Sequence, residues 1–145
     1  FIDRQYAVNT RAENTFLMGS SMGGLISMYA VSEYPEVFAG AACISTHWLG
    51  VMPDSTMPMS AALINYVDHH LPKAANHSFY FDHGTVDIDS YYPPLQKQVD
   101  QLMKLKGYSQ SNWQTQVFEG ENHSENAWQK RLHIPLQFLF ANKSS

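Results

Sequence analysis

The chain holds one cysteine, Cys43, in 145 residues, which excludes an internal disulfide. Cys43 lies inside an apolar run, where a buried and unreactive thiol is expected. Charge is scarce: 15% of the residues are charged, and 13 acidic against 9 basic side chains leave a formal net charge of -4. With so few cations and no basic stripe, no nucleic-acid partner is expected. No apolar run approaches the roughly 18 residues of a membrane-crossing helix, so no membrane partner is expected either. The glycines form neither Gly-x-Gly-x-x-Gly nor Gly-Lys-Ser/Thr, which argues against a nucleotide cradle. The histidines include no helical i, i+4 pair beside an acid, so neither a metal nor another cofactor is expected.

What is present suits one packed domain over 1–145. Hydrophobic residues make up 44% of the chain and aromatics 13%, enough to build a core at this length. No repeat, linker or low-complexity tract divides it. Apolar patterning alternates between short continuous runs and helical periodicity. Strands are expected over 15–18, 38–45, 78–82 and 113–118, and helices over 22–34, 59–71, 94–106 and 126–140. Residues 1–12 read as the tail of a helix, and 46–58 as a long loop. Pro93 and Pro94 must lie in the first turn of their helix, and Pro135 should kink or interrupt the last one. The alternation predicts an α/β fold: a parallel sheet of about four strands with helices on both faces.

The first strand runs into Gly19-Ser20-Ser21-Met22-Gly23, a Gly-x-Ser-x-Gly pentad followed by a helical pattern. That context is a nucleophile elbow, a strained strand-to-helix turn with Ser21 at its apex. Side chains at Gly19 and Gly23 are expected to collide as strand and helix close together. The backbone N–H of Met22, at the helix start, would face developing negative charge as an oxyanion donor.

In parallel sheets, chemistry gathers at the carboxyl ends of the strands. The polar residues after each expected strand are Ser21, then His47 beside Trp48, then His83, Asp87 and Asp89, then Glu121, Asn122 and His123. Serine, acid and histidine follow in the order Ser…Asp…His expected for an α/β-hydrolase triad. A serine hydroxyl needs a base as it attacks, and His123 is the candidate. Asp87 leads as the carboxylate that orients it, with Asp89 as the rival; Asp89 could instead cap the next helix. His47 and Trp48 could line the substrate pocket, though a packed tryptophan is the competing reading.

Gly19-Ser20-Ser21-Met22-Gly23-Gly24-Leu25 and Tyr34-Pro35-Glu36-Val37-Phe38 resemble the esterase branch of the α/β-hydrolase superfamily. That branch includes S-formylglutathione hydrolases, feruloyl esterases and enterobactin esterases. Phe81-Asp82-His83-Gly84-Thr85-Val86-Asp87 is similar to its acid loop, and Glu119-Gly120-Glu121-Asn122-His123-Ser124-Glu125-Asn126-Ala127-Trp128 to its histidine loop. The resemblance implies hydrolysis of a small-molecule carboxylic ester through an acyl-enzyme, with Ser21, Asp87 and His123 as the triad. It also implies that the chain corresponds to the C-terminal half of the fold, with the N-terminal strands missing. On that expectation the elbow strand needs the N-terminal half or another chain to cover its edge, a second oxyanion donor is lacking, and activity is impaired. An acyltransferase would use the same site, and a non-catalytic binding module would leave His123 beyond reach of Ser21.

Overall fold

The computed structural model describes residues 1–50 and 58–141; most of the loop expected over 46–58 lies outside the described residues. Four strands, β1 (Phe16–Ser20), β2 (Gly40–Ile44), β3 (Ser78–Gly84) and β4 (Trp113–Phe118), form one sheet in the order β1-β2-β3-β4. Every pairing is parallel, with Phe16 opposite Gly40, Gly40 opposite Ser78 and Phe79 opposite Trp113. Parallel neighbours need a crossover between them, and helices supply it. They are α2 (Met22–Glu33), α3 (Pro58–His70) and α4 (Pro93–Leu105). A short α1 (Ile2–Gln5) precedes the sheet, and α5 (Glu125–Gln129) and α6 (His133–Ala141) follow it.

Side-chain alternation divides the sheet into two faces. Ala41, Cys43, Phe79 and Phe81 point to one face, packed with Leu25, Met28, Val67, Val99 and Met103 from α2, α3 and α4. Ala42 and Tyr80 point to the other, against Ile134, Phe138 and Leu139 of α6. All five residues of β2 are buried, which explains why that segment reads as a continuous apolar run. Cys43 is fully buried, and burial pushes its thiol well above the ordinary range, so the inert reading holds physically.

In α4, Leu95, Val99 and Met103 recur every fourth residue on the buried side. Pro93 and Pro94 occupy its first turn, and Gly107, at φ 87°, follows the helix and donates its N–H to Lys104 O. Two expectations need correction. Residues 1–12 hold the four-residue α1, all of it exposed, and the start of a 3-10 turn over Ala12–Asn14, since no apolar face there meets the sheet. In α2, where helical spacing points to Leu25, Met28, Tyr29 and Ser32, the buried apolar stripe is Leu25, Met28 and Val31, and Tyr29 stays exposed. The last helix is interrupted as expected, but ahead of the proline: it breaks between Gln129 and His133, and Pro135 falls in the first turn of α6, where a missing N–H is tolerated.

Candidate active site

Ser21 sits between β1 and α2 with φ 58° and ψ -121°, a region that non-glycine residues rarely occupy. Such strain persists only when the surroundings over-determine it. Here the Ser21 N–H donates to Ile44 O at 2.8 Å, while its carbonyl accepts from Gly24 N at 3.0 Å and His47 N at 3.2 Å. The turn brings Gly19 against the next glycine, so that a Cβ on Gly19 would overlap the carbonyl of Gly23. The converse expectation fails: a Cβ on Gly23 meets open space. Gly19→Ala should therefore lower the melting temperature by roughly 10 °C, whereas Gly23→Ala should stay within about 3 °C of the parent. Thermal melts of the two variants check this; equal melting points would refute the packing account.

Three distant side chains meet at the carboxyl end of the sheet. His123 Nε2 lies 2.8 Å from Ser21 Oγ, and His123 Nδ1 lies 2.5 Å from Asp89 Oδ1. The acid in contact is thus Asp89, not Asp87. A 3-10 turn over Asp87–Tyr91 carries Asp89 inward to complete burial. Asp87, at φ 56°, stays exposed at its mouth. Asp89 does not cap α4, whose N-cap residue is Tyr92. Behind it, the acid loop and the histidine loop are tied backbone to backbone. Thr85 N and Val86 N donate to Glu121 O, and a Cβ on Gly84 would overlap that same carbonyl.

The proton positions follow from what each group can do. Burial pushes the Asp89 carboxyl up, but hydrogen bonds from His123, the Ser45 hydroxyl and the Gly84 N–H outweigh it and hold it below the usual carboxylate range. An ionised carboxylate only accepts, so His123 donates from Nδ1 and its Nε2 is left to accept the Ser21 hydroxyl proton. The imidazole is 16% exposed and is walled by Trp128, Tyr92 and His47, with ring centroids at 5.0, 5.9 and 6.4 Å.

The two residues expected to line a pocket separate. His47 belongs to the site: its Nδ1 is 2.8 Å from the Tyr92 hydroxyl. Burial, then the neighbouring His123, hold its pKa below the usual imidazole value, favouring the neutral ring. Trp48 does not. It is fully buried against Phe81, with its indole N–H donated to Gln96 Oε1 at 2.7 Å, and is a core residue. The Met22 N–H opens α2 directly after Ser21, where the first amides of a helix lack intrahelical acceptors.

Four residues at the site escaped the sequence reading: Tyr92, Ser45, Asp82 and Arg131. Ser45 and Asp82 stand at the carboxyl ends of β2 and β3, so the strand-end rule could have found both. Arg131, between α5 and α6, carries no comparable signal. Its guanidinium pairs with Asp82 through Nη2 at 3.0 Å and Nε at 3.2 Å, fully enclosed, above the Phe118 ring. Among the described residues, no group of three or more metal-binding side chains comes together.

Comparison with known proteins gives the family and the fold. The family described as "Putative esterase" matches residues 1–139. The chain belongs to that esterase family. Among curated relatives, the uncharacterized protein YbbA of Bacillus subtilis (strain 168) is 24% identical over 151 residues, covering 99% of this chain and 56% of its own. Among solved structures, a ferulic acid esterase superposes with a TM-score of 0.70 at 19% identity, over 94% of this chain and 55% of that one. S-formylglutathione hydrolase (FrmB) from Staphylococcus aureus gives 0.66 at 11% identity, over 94% and 55%. The chain therefore spans about half the length of these relatives, and shares with the solved ones the parallel sheet with helices that its sequence predicted.

Proposed function

We propose that this chain carries the nucleophile elbow, base and acid of a serine carboxylic-ester hydrolase that works through an acyl-enzyme. The observation that carries the reading is the continuous hydrogen-bonded chain from Ser21 through His123 to Asp89. A binding module has no need to hold a serine in a strained turn within 2.8 Å of an imidazole. In the first half-reaction His123 Nε2 takes the Ser21 proton as Oγ bonds to the ester carbonyl carbon. The resulting oxyanion faces the Met22 N–H. As the carbon–oxygen ester bond breaks, His123 returns the proton to the departing alkoxide, leaving alcohol and acyl-Ser21. Water then repeats the cycle on the acyl-enzyme, releasing the acid.

His47 and the aromatic wall around His123 would contact a small or aryl ester. The partner of the β1 edge would be preceding strands or another chain, laid against a strand that has a neighbour on one side only among the described elements. The deciding experiment treats the full-length protein with a fluorophosphonate probe and maps the adduct by mass spectrometry. Phosphonylation of Ser21, with parallel loss of turnover on a panel of short-acyl and aryl esters, is expected. Unlabelled Ser21 in folded protein would overturn the proposal.

A further inference from the structure

Ser45 is enclosed, belongs to no step of the proposed reaction, and yet is held in a strained backbone conformation at φ 42°. Its hydroxyl oxygen has three neighbours: Trp128 Nε1 at 3.0 Å, Arg131 Nη2 at 2.9 Å and Asp89 Oδ2 at 2.7 Å. The indole and the guanidinium can only donate, so they fill both lone pairs of the oxygen. One direction is left for the single hydroxyl proton, and it is Asp89. The Asp89 carboxylate thus receives three directed donors: Ser45 and the Gly84 N–H on Oδ2, and His123 on Oδ1.

The guanidinium that sets this proton direction is anchored in turn by Asp82, which also accepts from the Tyr80 hydroxyl and the Ser45 N–H. Burial pushes the Asp82 carboxyl up, and Arg131, Ser45 and Tyr80 pull it back only in part. A buried ion pair is a poor source of stability, since desolvation consumes much of the attraction. This one also leaves Arg131 Nη1 buried with no partner among the described residues. A pair that contributes little to stability, but dictates the orientation of a hydroxyl beside the acid, has its use in that orientation.

Resting on the serine-esterase reading, we infer that Ser45 is a positioning residue for Asp89, its hydroxyl aimed by Arg131 and Trp128, so that the Asp82–Arg131 pair on the back face of the sheet helps to set the geometry of the base. The carboxylate is then held at a fixed angle to His123 Nδ1, and the imidazole at a fixed angle to Ser21.

The test measures kcat, KM and the pH profile of ester hydrolysis by full-length wild type, Ser45→Ala and Ser45→Cys, normalised to folded protein by circular dichroism. Ser45→Ala is expected to lower kcat about 10- to 100-fold, the scale of a small misplacement of a catalytic group. KM should stay within about threefold, because the interaction acts in the transition state. With one donor fewer, the carboxylate holds the imidazolium more tightly, so the acidic limb should move to higher pH by up to about one unit. Ser45→Cys, a weaker donor of similar size, should fall between the two. A merely structural role would lower the folded fraction and leave kcat and the acidic limb of the folded protein unchanged, and that result overturns the inference. If Ser45→Ala does not fold, Ser45→Cys alone decides by the same criterion. Wild-type protein that neither hydrolyses ester nor takes up a fluorophosphonate overturns the esterase reading and this inference with it.

Discussion

Replacing Ser21 with alanine should lower kcat for ester hydrolysis by about 10⁶-fold, the loss expected when the nucleophile of a mutually dependent group is removed. The reasoning is that the other members have no work without it. His123 would still be held by Asp89, and the Met22 N–H would still open α2, but no bond could form to the carbonyl carbon. KM should change little, because the hydroxyl contributes mainly to the reacting state. Alanine tolerates the φ of 58° no better than serine does, so the turn should remain strained, yet folded through its hydrogen bonds to Ile44 and Gly24. Steady-state kinetics with an aryl ester, alongside probe labelling, measure the effect. A variant that retained more than about one hundredth of the activity would remove Ser21 from the chemistry.

The second large effect separates the two acids. Asp89→Asn should reduce kcat by about 10⁴-fold, because an amide can turn its NH₂ towards Nδ1 and favour the tautomer whose Nε2 carries the proton. Such an imidazole cannot accept from Ser21. Asp87→Asn, at an exposed site, should leave kcat within about twofold. Comparable losses at both positions, or loss at Asp87 alone, would contradict the geometry. Stability offers a second signature. The folded-state pKa of Asp89 is depressed, so its contribution is fully present above the unfolded value and is lost as pH falls through the folded one. The stability gap between wild type and Asp89→Asn should accordingly narrow on acidification below about pH 4.

Why one acid was misread while the serine and histidine were found is a matter of local geometry. The pentad around Ser21 works through sterics that any reader of glycines can anticipate, and strands ending in polar residues announce the reactive edge. Asp87 and Asp89 are two residues apart in a 3-10 turn, where each step rotates the side chain by about 120°. One therefore faces inward and the other out, and the choice depends on how the turn docks, not on residue type. Trp48 illustrates the same limit: an indole next to a site histidine reads identically whether it lines a pocket or fills the core beneath it. Arg131 was invisible for a deeper reason. Its partners lie 49 and 86 positions upstream, so nothing in its own segment reports the enclosure. The break before α6 was likewise blurred, since Pro135 announces an interruption without fixing its place, which falls at Lys130-Arg131-Leu132.

The side of β1 that has no neighbour among the described residues carries a consequence for competence. Were a strand added there in parallel, in the register that β2 keeps on the other side, it would end level with Ser20, at the edge of the sheet where the elbow begins. Burying that flank and furnishing another donor for the oxyanion would be a single event. Catalytic power would then switch on with assembly of the sheet, not in proportion to it.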